Sequence, residues 1–168
     1  MKIYFDMDGV LADFEGGTCS FCGLERLAPG QKRTPEEDDF MWSKIREVPH
    51  FYDVIAPLPD GVELFNLIYS IYGDKCEILT GIPRPKRGIP TAAEDKIRWA
   101  HRVLNPDVKV NAVYRSDKPK FCNGPDCYLI DDLESNIEGW ENMGGTGILY
   151  DSPDGTYARE LLKKIGII

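Results

Sequence analysis

A parallel α/β sheet with helices on its flanks is the fold class that this sequence predicts. Short apolar runs alternate with segments of helical periodicity along most of the chain, which is typical of βαβ units. The 168 residues are enough for one domain with a hydrophobic core plus a small appendage, and 42% apolar and 29% charged residues are ordinary for a globular protein. Residues 14–56 interrupt the alternation, so we interpret them as an insertion that lies over the sheet.

The pattern predicts five strands and five helices. The strands cover 2–5, 77–79, 108–114, 128–130 and 147–150. One helix lies in the insertion, over 35–46, with Pro35 near its first position and acidic residues in its first turn. Four more helices cover 61–72, 91–104, 135–142 and 157–165. Thr91 and Glu94 form a predicted capping box, and Gly166 is a typical helix end.

The charge and the apolar runs exclude several classes of partner. The net charge of −8 argues against binding to duplex nucleic acid or to an anionic membrane surface. No run approaches the roughly 20 apolar residues needed to cross a bilayer. Only three apolar residues separate Lys2 from Asp6, too few for a signal-peptide core, so we expect a cytoplasmic protein. Nothing in the pattern specifies an oligomeric state.

The cysteines raise the question of a zinc site. Five cysteines, an odd number, fit reduced thiols better than a disulfide framework. Cys19 and Cys22 have the spacing of half a zinc site, with Cys122 and Cys127 as candidates for the other half. Cys127 begins the fourth predicted strand, at the opposite end of the sheet from the insertion that holds Cys19 and Cys22. We therefore expect no shared Cys₄ site.

Two aspartates end the first predicted strand. The apolar run Ile3-Tyr4-Phe5 is followed by Asp6-Met7-Asp8-Gly9. Like charges at ~4 Å and an effective dielectric of about 20 repel each other by roughly 4 kcal/mol. A hard divalent cation is the simplest compensation, because such ions prefer carboxylate oxygens. The segment therefore predicts a catalytic metal site.

Polar residues also follow the other strands, and in open parallel sheets ligands bind at the carboxyl ends of the strands. Thr80 and Gly81 follow the second strand, Lys118 comes a few residues after the third, and Asp131-Asp132 follow the fourth. The Thr80 hydroxyl, the Gly81 amide and Lys118 would hold the oxygens of a phosphoryl group. Asp131 and Asp132 would complete the oxygen ligation of Mg²⁺.

The aspartates of the first strand suit phosphoryl transfer. Asp6 can attack phosphorus and form an aspartyl-phosphate. Asp8, two residues on, can protonate the leaving oxygen and later deprotonate a water. Taken singly, each motif also has a structural interpretation: a solvated turn at Asp6 and Asp8, or a helix cap at Asp131-Asp132. The ordered series of four strand ends favours a phosphatase site.

These residues resemble a known family. The segment 6–13, Asp-Met-Asp-Gly-Val-Leu-Ala-Asp, resembles the first motif of the haloacid dehalogenase (HAD) superfamily, and Thr80, Lys118 and Asp131-Asp132 resemble its other three. Residues 13–17, Trp42, 57–59 and 129–132 are similar to the 5′(3′)-deoxyribonucleotidases, which are Mg²⁺-dependent phosphatases of nucleoside monophosphates. The resemblance implies a Rossmann-like, HAD-like core of 1–13 and 57–168 with a small helical cap of 14–56.

The resemblance also implies roles for individual residues. It implies Asp6 as the nucleophile and Asp8 as the acid/base. It implies Mg²⁺ bound by the Asp6 side chain, the Asp8 backbone carbonyl and Asp132, with Asp131 in the outer shell. Phe14 and Trp42 match positions where the family packs aromatic side chains around the base. From the residues alone, these two aromatics could equally form a small core of the insertion.

Two departures from the family pattern affect the phosphate contacts. Gly81 stands where the family usually has a serine, so one hydroxyl is missing. Basic residues of the next loop are candidates to replace it, namely Arg84, Lys86 and Arg87. The interval from Lys118 to Asp131 is longer than the family pattern, and Lys120 is an alternative for the lysine of the third motif.

The residues and the resemblance together predict an Mg²⁺-dependent phosphomonoester hydrolase. We expect it to act on (deoxy)nucleoside monophosphates through an aspartyl-phosphate. One alternative is the same chemistry on a sugar phosphate or a polynucleotide 3′-phosphate. The other is a non-catalytic phosphate- or metal-binding module such as a receiver domain. Receivers carry the phosphorylated aspartate after a middle strand of the sequence, whereas Asp6 and Asp8 follow the first.

Overall fold

A five-stranded parallel sheet forms the centre of the molecule. The computed structural model describes residues 1–28, 31–150 and 155–168. The strand order is β3-β2-β1-β4-β5, and every neighbouring pair is parallel. The strands are β1 (Lys2–Phe5), β2 (Cys76–Gly81), β3 (Val110–Val113), β4 (Cys127–Asp131) and β5 (Thr146–Leu149). Because β1 lies between β2 and β4, the residues that follow these three strands meet at one edge of the sheet.

Helices cover the sheet. They are α1 (Phe14–Cys22), α2 (Pro35–Ile45), α3 (Phe51–Val54), α4 (Pro59–Tyr72), α5 (Ala92–Val103), α6 (Glu134–Asn142) and α7 (Thr156–Lys164). Short 3₁₀ helices cover Gly73–Lys75, Pro85–Arg87 and Arg115–Phe121. Within the described residues, no helix combines the length and the apolar character that a membrane span requires.

The predicted sheet is confirmed: β1 has the predicted bounds, and the ends of the other four strands are shifted by one or two residues. The predicted capping box at Thr91 is wrong. Thr91 makes no side-chain cap to α5, because its hydroxyl donates to the Asp95 carboxylate at 2.7 Å. The capping box of the described residues lies instead at the start of α2, where Thr34 and Glu37 each accept from the other's backbone N–H.

The helices α1–α3 lie between β1 and α4, within residues 14–56. Buried side chains of this segment belong to the same hydrophobic cluster as those under the sheet; they include Met41, Ile45, Phe51, Tyr52 and Ile55. The cluster continues through Phe5 of β1 and Leu64 of α4. The segment thus shares its core with the sheet, and its division from the rest as a cap stays a prediction.

The cysteines are free thiols. Cys76, Cys122 and Cys127 are buried, whereas Cys19 and Cys22 of α1 are half-buried. Cys122 and Cys127 pack in a second, smaller cluster that includes Trp140.

Candidate active site

The turn after β1 directs two carboxylates to one side of the chain. Asp6 and Asp8 flank Met7, whose side chain is fully buried in the core. The Met7 carbonyl accepts from the amides of Leu11 and Ala12, which closes the turn. Gly9 has φ +78°, a conformation that favours glycine, and a Cβ there would lie 2.2 Å from Asp132 Oδ2. Gly9 therefore allows Asp132 to approach the backbone of this turn.

Lys118 lies between two buried carboxylates. Its Nζ is 2.9 Å from Asp6 Oδ1 and 2.7 Å from Asp131 Oδ2, and its side chain is 2% exposed. Burial works against the ammonium charge, but the Asp6 and Asp131 carboxylates raise the pKa of Lys118 well above its usual range. Lys120 is exposed and pairs with Asp117 at 2.7 Å. Of the two lysines proposed from the sequence, Lys118 is the one beside Asp6.

Both oxygens of Asp131 have protein donors. Oδ1 accepts from the Leu133 amide at 2.9 Å and from Asn136 Nδ2 at 2.9 Å. Oδ2 accepts from Lys118 Nζ at 2.7 Å and from Asn136 Nδ2 at 3.0 Å. Asn136 was not expected from the sequence, where an asparagine in a helix has no distinguishing context. These bonds fix Asp131 as a partner of Lys118.

Asp132 completes a group of three carboxylates. One oxygen each from Asp6, Asp131 and Asp132 lie within 4.8 Å of one another. Burial, together with the charges of Asp6 and Asp131, raises the pKa of Asp132 to about 8. Crowded carboxylates of this kind suit a hard cation such as Mg²⁺, whose charge would offset their repulsion.

We expect the stabilisation of the protein by Mg²⁺ to increase with pH. The raised pKa means that Asp132 holds its proton more tightly in the folded chain, so its ionisation lowers stability as the pH rises from about 4 to about 8. A cation must displace that proton, at a cost of up to about tenfold in apparent affinity per pH unit below the pKa. Thermal unfolding with Mg²⁺ and with a chelator should therefore show a larger Mg²⁺-dependent shift at about pH 8.5 than at about pH 6. Asp132→Asn should abolish this difference, and an equal shift at both pH values would contradict the expectation.

Asp8 is held by a lysine that the sequence analysis did not identify. Lys96 Nζ is 2.6 Å from Asp8 Oδ2 and 2.9 Å from Thr80 Oγ1, and it lies 4.5 Å from the centre of the Tyr52 ring. Asp8 Oδ1 is buried and has no hydrogen-bond partner among the described residues. Burial raises the pKa of Asp8, the Lys96 charge lowers it, and the Asp6 charge adds to the rise.

The helical periodicity of α5 indicates from the sequence that Lys96 lies on the buried face of the helix. The buried positions of α5 are Ala92, Asp95, Lys96, Trp99 and Ala100, which lie on one face. A lysine on the core-facing side of an amphipathic helix is rare unless it is paired. That position could have identified Lys96 as a candidate partner of a buried acid.

Replacing Lys96 should affect leaving groups unequally. Lys96→Met would free Asp8 Oδ2 and release the carboxylate from its present orientation. If Asp8 protonates the leaving oxygen, phosphate release from alkyl phosphates should fall by roughly 10²-fold, and from p-nitrophenyl phosphate, whose leaving group needs no proton, by much less. Lys75→Met is the matched control, because Lys75 directly precedes β2 and lies at the end of the strand opposite to Thr80. Equal losses on both substrates would contradict the role for Lys96.

A cavity of about 490 Å³ opens above these groups. Aromatic side chains form one wall, namely Phe14, Trp42 and Tyr52. Other lining residues include Asp6, Asp8, Gly81, Arg115, Lys118 and Asp132. Thr80 is fully buried and does not line the cavity, because its hydroxyl faces Lys96. The sequence-proposed aromatics Phe14 and Trp42 thus lie in the same cavity as the carboxylates.

Trp42 is fixed by contacts between α2 and the loop after β2. Its Nε1 donates to Asp38 Oδ2 at 3.2 Å, and Arg87 donates to the same oxygen at 2.7 Å. The Arg87 guanidinium also lies 5.4 Å from the centre of the Trp42 ring. These contacts hold the indole at the cavity wall.

Comparison with known proteins finds a curated relative and several solved structures that are similar to this chain. No protein family model matches the chain. The human mitochondrial 5′(3′)-deoxyribonucleotidase is 28% identical over an alignment of 140 residues, which covers 70% of this chain and 57% of that protein. The chain therefore spans little more than half the length of this curated relative.

Solved structures give the fold. A hydrolase from Pseudomonas syringae matches 98% of this chain and 90% of its own, with a TM-score of 0.51 and 19% identity. A HAD family hydrolase from Deinococcus radiodurans, solved with phosphate and sodium, matches 98% and 87%, with a TM-score of 0.51 and 17% identity. The expected fold and family resemblance are both confirmed: the chain has the HAD-like α/β fold and resembles the 5′(3′)-deoxyribonucleotidases.

Proposed function

We propose that this protein is a phosphomonoester hydrolase that acts on (deoxy)nucleoside monophosphates. One observation carries the proposal: Asp6 lies beside Lys118 at the floor of a cavity whose wall is aromatic. A phosphoryl group at the floor would meet the nucleophile, and a nucleobase could stack on the wall. The hydrolase neighbours and the deoxyribonucleotidase relative support an enzyme of the phosphatase class.

In the first step Asp6 attacks phosphorus. A bond forms between a carboxylate oxygen of Asp6 and phosphorus as the bond from phosphorus to the ester oxygen breaks. Asp8 gives its proton to that leaving oxygen, which departs as the alcohol. The raised pKa of Asp8 favours the protonated carboxyl that this step requires. Oδ1 is the oxygen available to carry the proton, because Oδ2 accepts from Lys96.

In the second step water hydrolyses the aspartyl-phosphate. Asp8, now a carboxylate, takes a proton from the water as the water oxygen attacks phosphorus. The bond between phosphorus and Asp6 breaks, which releases inorganic phosphate and restores both aspartates to their starting states. Lys118, held against Asp6, offsets the charge that develops on the phosphoryl oxygens.

Mg²⁺ is the cofactor that the carboxylate group fits. The residues proposed to hold it are Asp6, Asp132 and the Asp8 backbone carbonyl. Asp131 is proposed in the outer shell, and its four protein hydrogen bonds support that role. When bound, the ion supplies positive charge that offsets the phosphoryl oxygens. Thr80 and Gly81 stay proposed phosphate contacts; only Gly81 lines the cavity.

The partner in this proposal is a small phosphorylated molecule, and the cytoplasm stays the predicted location. The test is a screen of Mg²⁺-dependent phosphate release. The panel comprises 5′- and 3′-nucleoside monophosphates with ribose and deoxyribose, sugar phosphates, and an oligonucleotide with a 3′-phosphate. We expect multiple turnovers and the highest kcat/KM on nucleoside monophosphates. Preference for a sugar phosphate or the oligonucleotide would overturn the substrate class, and a phosphorylated protein without turnover would indicate a receiver-like module.

A further inference from the structure

We infer that Arg115 binds the phosphoryl group of the substrate at the position where Gly81 lacks a hydroxyl. The inference rests on the proposed function and identifies how this chain completes its phosphate site. Gly81 ends β2 and pairs with Val113 of the neighbouring strand β3. Arg115 begins the 3₁₀ helix that follows β3 and, like Gly81, lines the cavity. A Cβ added to Gly81 would lie 3.8 Å from Arg115 Cβ, so the two residues are direct neighbours.

The other cations at the site are already neutralised. Lys118 pairs with Asp6 and Asp131, and Lys96 pairs with Asp8. Arg115 is exposed and forms no ion pair with any carboxylate in the described ranges 1–28, 31–150 and 155–168. Its charge is therefore available to an incoming anion, whereas the charge of each lysine is shared with a carboxylate.

The basic residues of the loop after β2, which the sequence offered as candidates for this role, make other contacts or lie outside the cavity lining. Arg87 donates to Asp38 of α2, and the exposed Lys86 is not among the residues that line the cavity. Arg84 stacks on the Tyr114 ring at 4.1 Å and donates to the Ser116 hydroxyl at 2.9 Å. Arg84 thus contacts Tyr114 and Ser116, the two residues on either side of Arg115.

The chemistry of Arg115 and Gly81 together fits a phosphate monoester. A phosphate monoester carries up to two negative charges on its non-bridging oxygens, and the planar guanidinium can donate to two of them at once. The missing serine hydroxyl would have supplied one neutral donor to the same oxygens. A charged arginine beside Gly81 replaces that donor and adds a charge.

The test combines Arg115→Met, Gly81→Ser and the double variant. Arg115→Met should raise KM for a nucleoside monophosphate, and the inhibition constant of inorganic phosphate, by about tenfold or more, with a smaller effect on kcat. Gly81→Ser should restore much of that loss in the Arg115→Met background, because the added side chain fits without a close contact. Arg102→Met, on α5 and paired with Asp53, should leave both constants within about twofold.

The outcomes separate this inference from the proposed function. Unchanged KM and phosphate inhibition in Arg115→Met would overturn the role of Arg115 while leaving the hydrolase intact. A loss confined to kcat would overturn it as well. If the wild type hydrolyses no phosphomonoester, direct titration with inorganic phosphate and Mg²⁺ still decides: weaker binding by Arg115→Met supports the inference, and equal or absent binding contradicts it.

Discussion

Asp6→Asn is expected to reduce phosphate release by roughly three orders of magnitude or more, because an amide cannot replace the carboxylate nucleophile. Asp6 is 5% exposed and lies 2.9 Å from Lys118 Nζ, in a closely packed site. Asparagine has nearly the same volume as aspartate, so the variant keeps the packing. The expected loss is in kcat, since the other cavity residues proposed to bind substrate are unchanged in this variant. Phosphate release over a range of nucleoside monophosphate concentrations is the measurement.

A charge-matched control makes the result specific. Asp107→Asn removes the same charge from an exposed position after α5 and should leave the rate unchanged. Rapid quenching followed by intact-mass measurement should detect a phosphorylated form of the wild type and none of Asp6→Asn. An Asp6→Asn protein that retains substantial turnover would remove the nucleophile assignment.

Lys118→Met is expected to abolish activity and also to destabilise the fold. The variant leaves the Asp6 and Asp131 carboxylates without the ammonium that lies within 2.9 Å of both. Removing one partner of a buried ion pair typically costs about 3–5 kcal/mol, because an uncompensated charge stays buried. Chemical denaturation monitored by circular dichroism measures this loss. Added Mg²⁺ should recover part of the stability by offsetting the same carboxylates.

Lys120→Met is the control for Lys118. Lys120 is 75% exposed and pairs with Asp117 on the surface, where an ion pair contributes little. We expect this variant to unfold within about 0.5 kcal/mol of the wild type and to retain its activity. A larger effect from Lys120→Met than from Lys118→Met would reverse the assignment of the third-motif lysine.

The elements that the sequence predicted well are those governed by local patterns. The apolar runs of β1 and β4 and the helical period of α4 are visible without tertiary information, because burial of one face repeats along the chain. The capping box was predicted at the wrong helix because its prediction also used a local pattern alone. Thr91 and Glu94 have the right spacing, but the buried Asp95 competes for the Thr91 hydroxyl, and that competition exists only in the folded chain.

The residues of the candidate site also fall into those that the sequence pattern predicted and those that depend on tertiary contacts. The order of motifs along the chain predicted that Asp6, Asp8, Lys118, Asp131 and Asp132 lie at one edge of the sheet, because parallel strands bring their carboxyl ends together whatever the details of packing. Lys96 and Asn136 were missed, since each acts through a side chain that crosses from a helix to the strand ends. The helical period of α5 marks Lys96 as buried, but no spacing rule states which carboxylate Lys96 or Asn136 will contact.

The α/β class and the set of acidic groups that gather at one edge of the sheet follow from the order of residues along the chain. The pairing of cations with carboxylates follows from the folded packing: Lys118 is shared by Asp6 and Asp131, Lys96 holds Asp8, and Arg115 is left without an acidic partner in the described ranges. The physical reason is distance. Ion pairing in a buried site depends on separations of a few ångströms between residues that are far apart in the chain, and only the packed fold sets them.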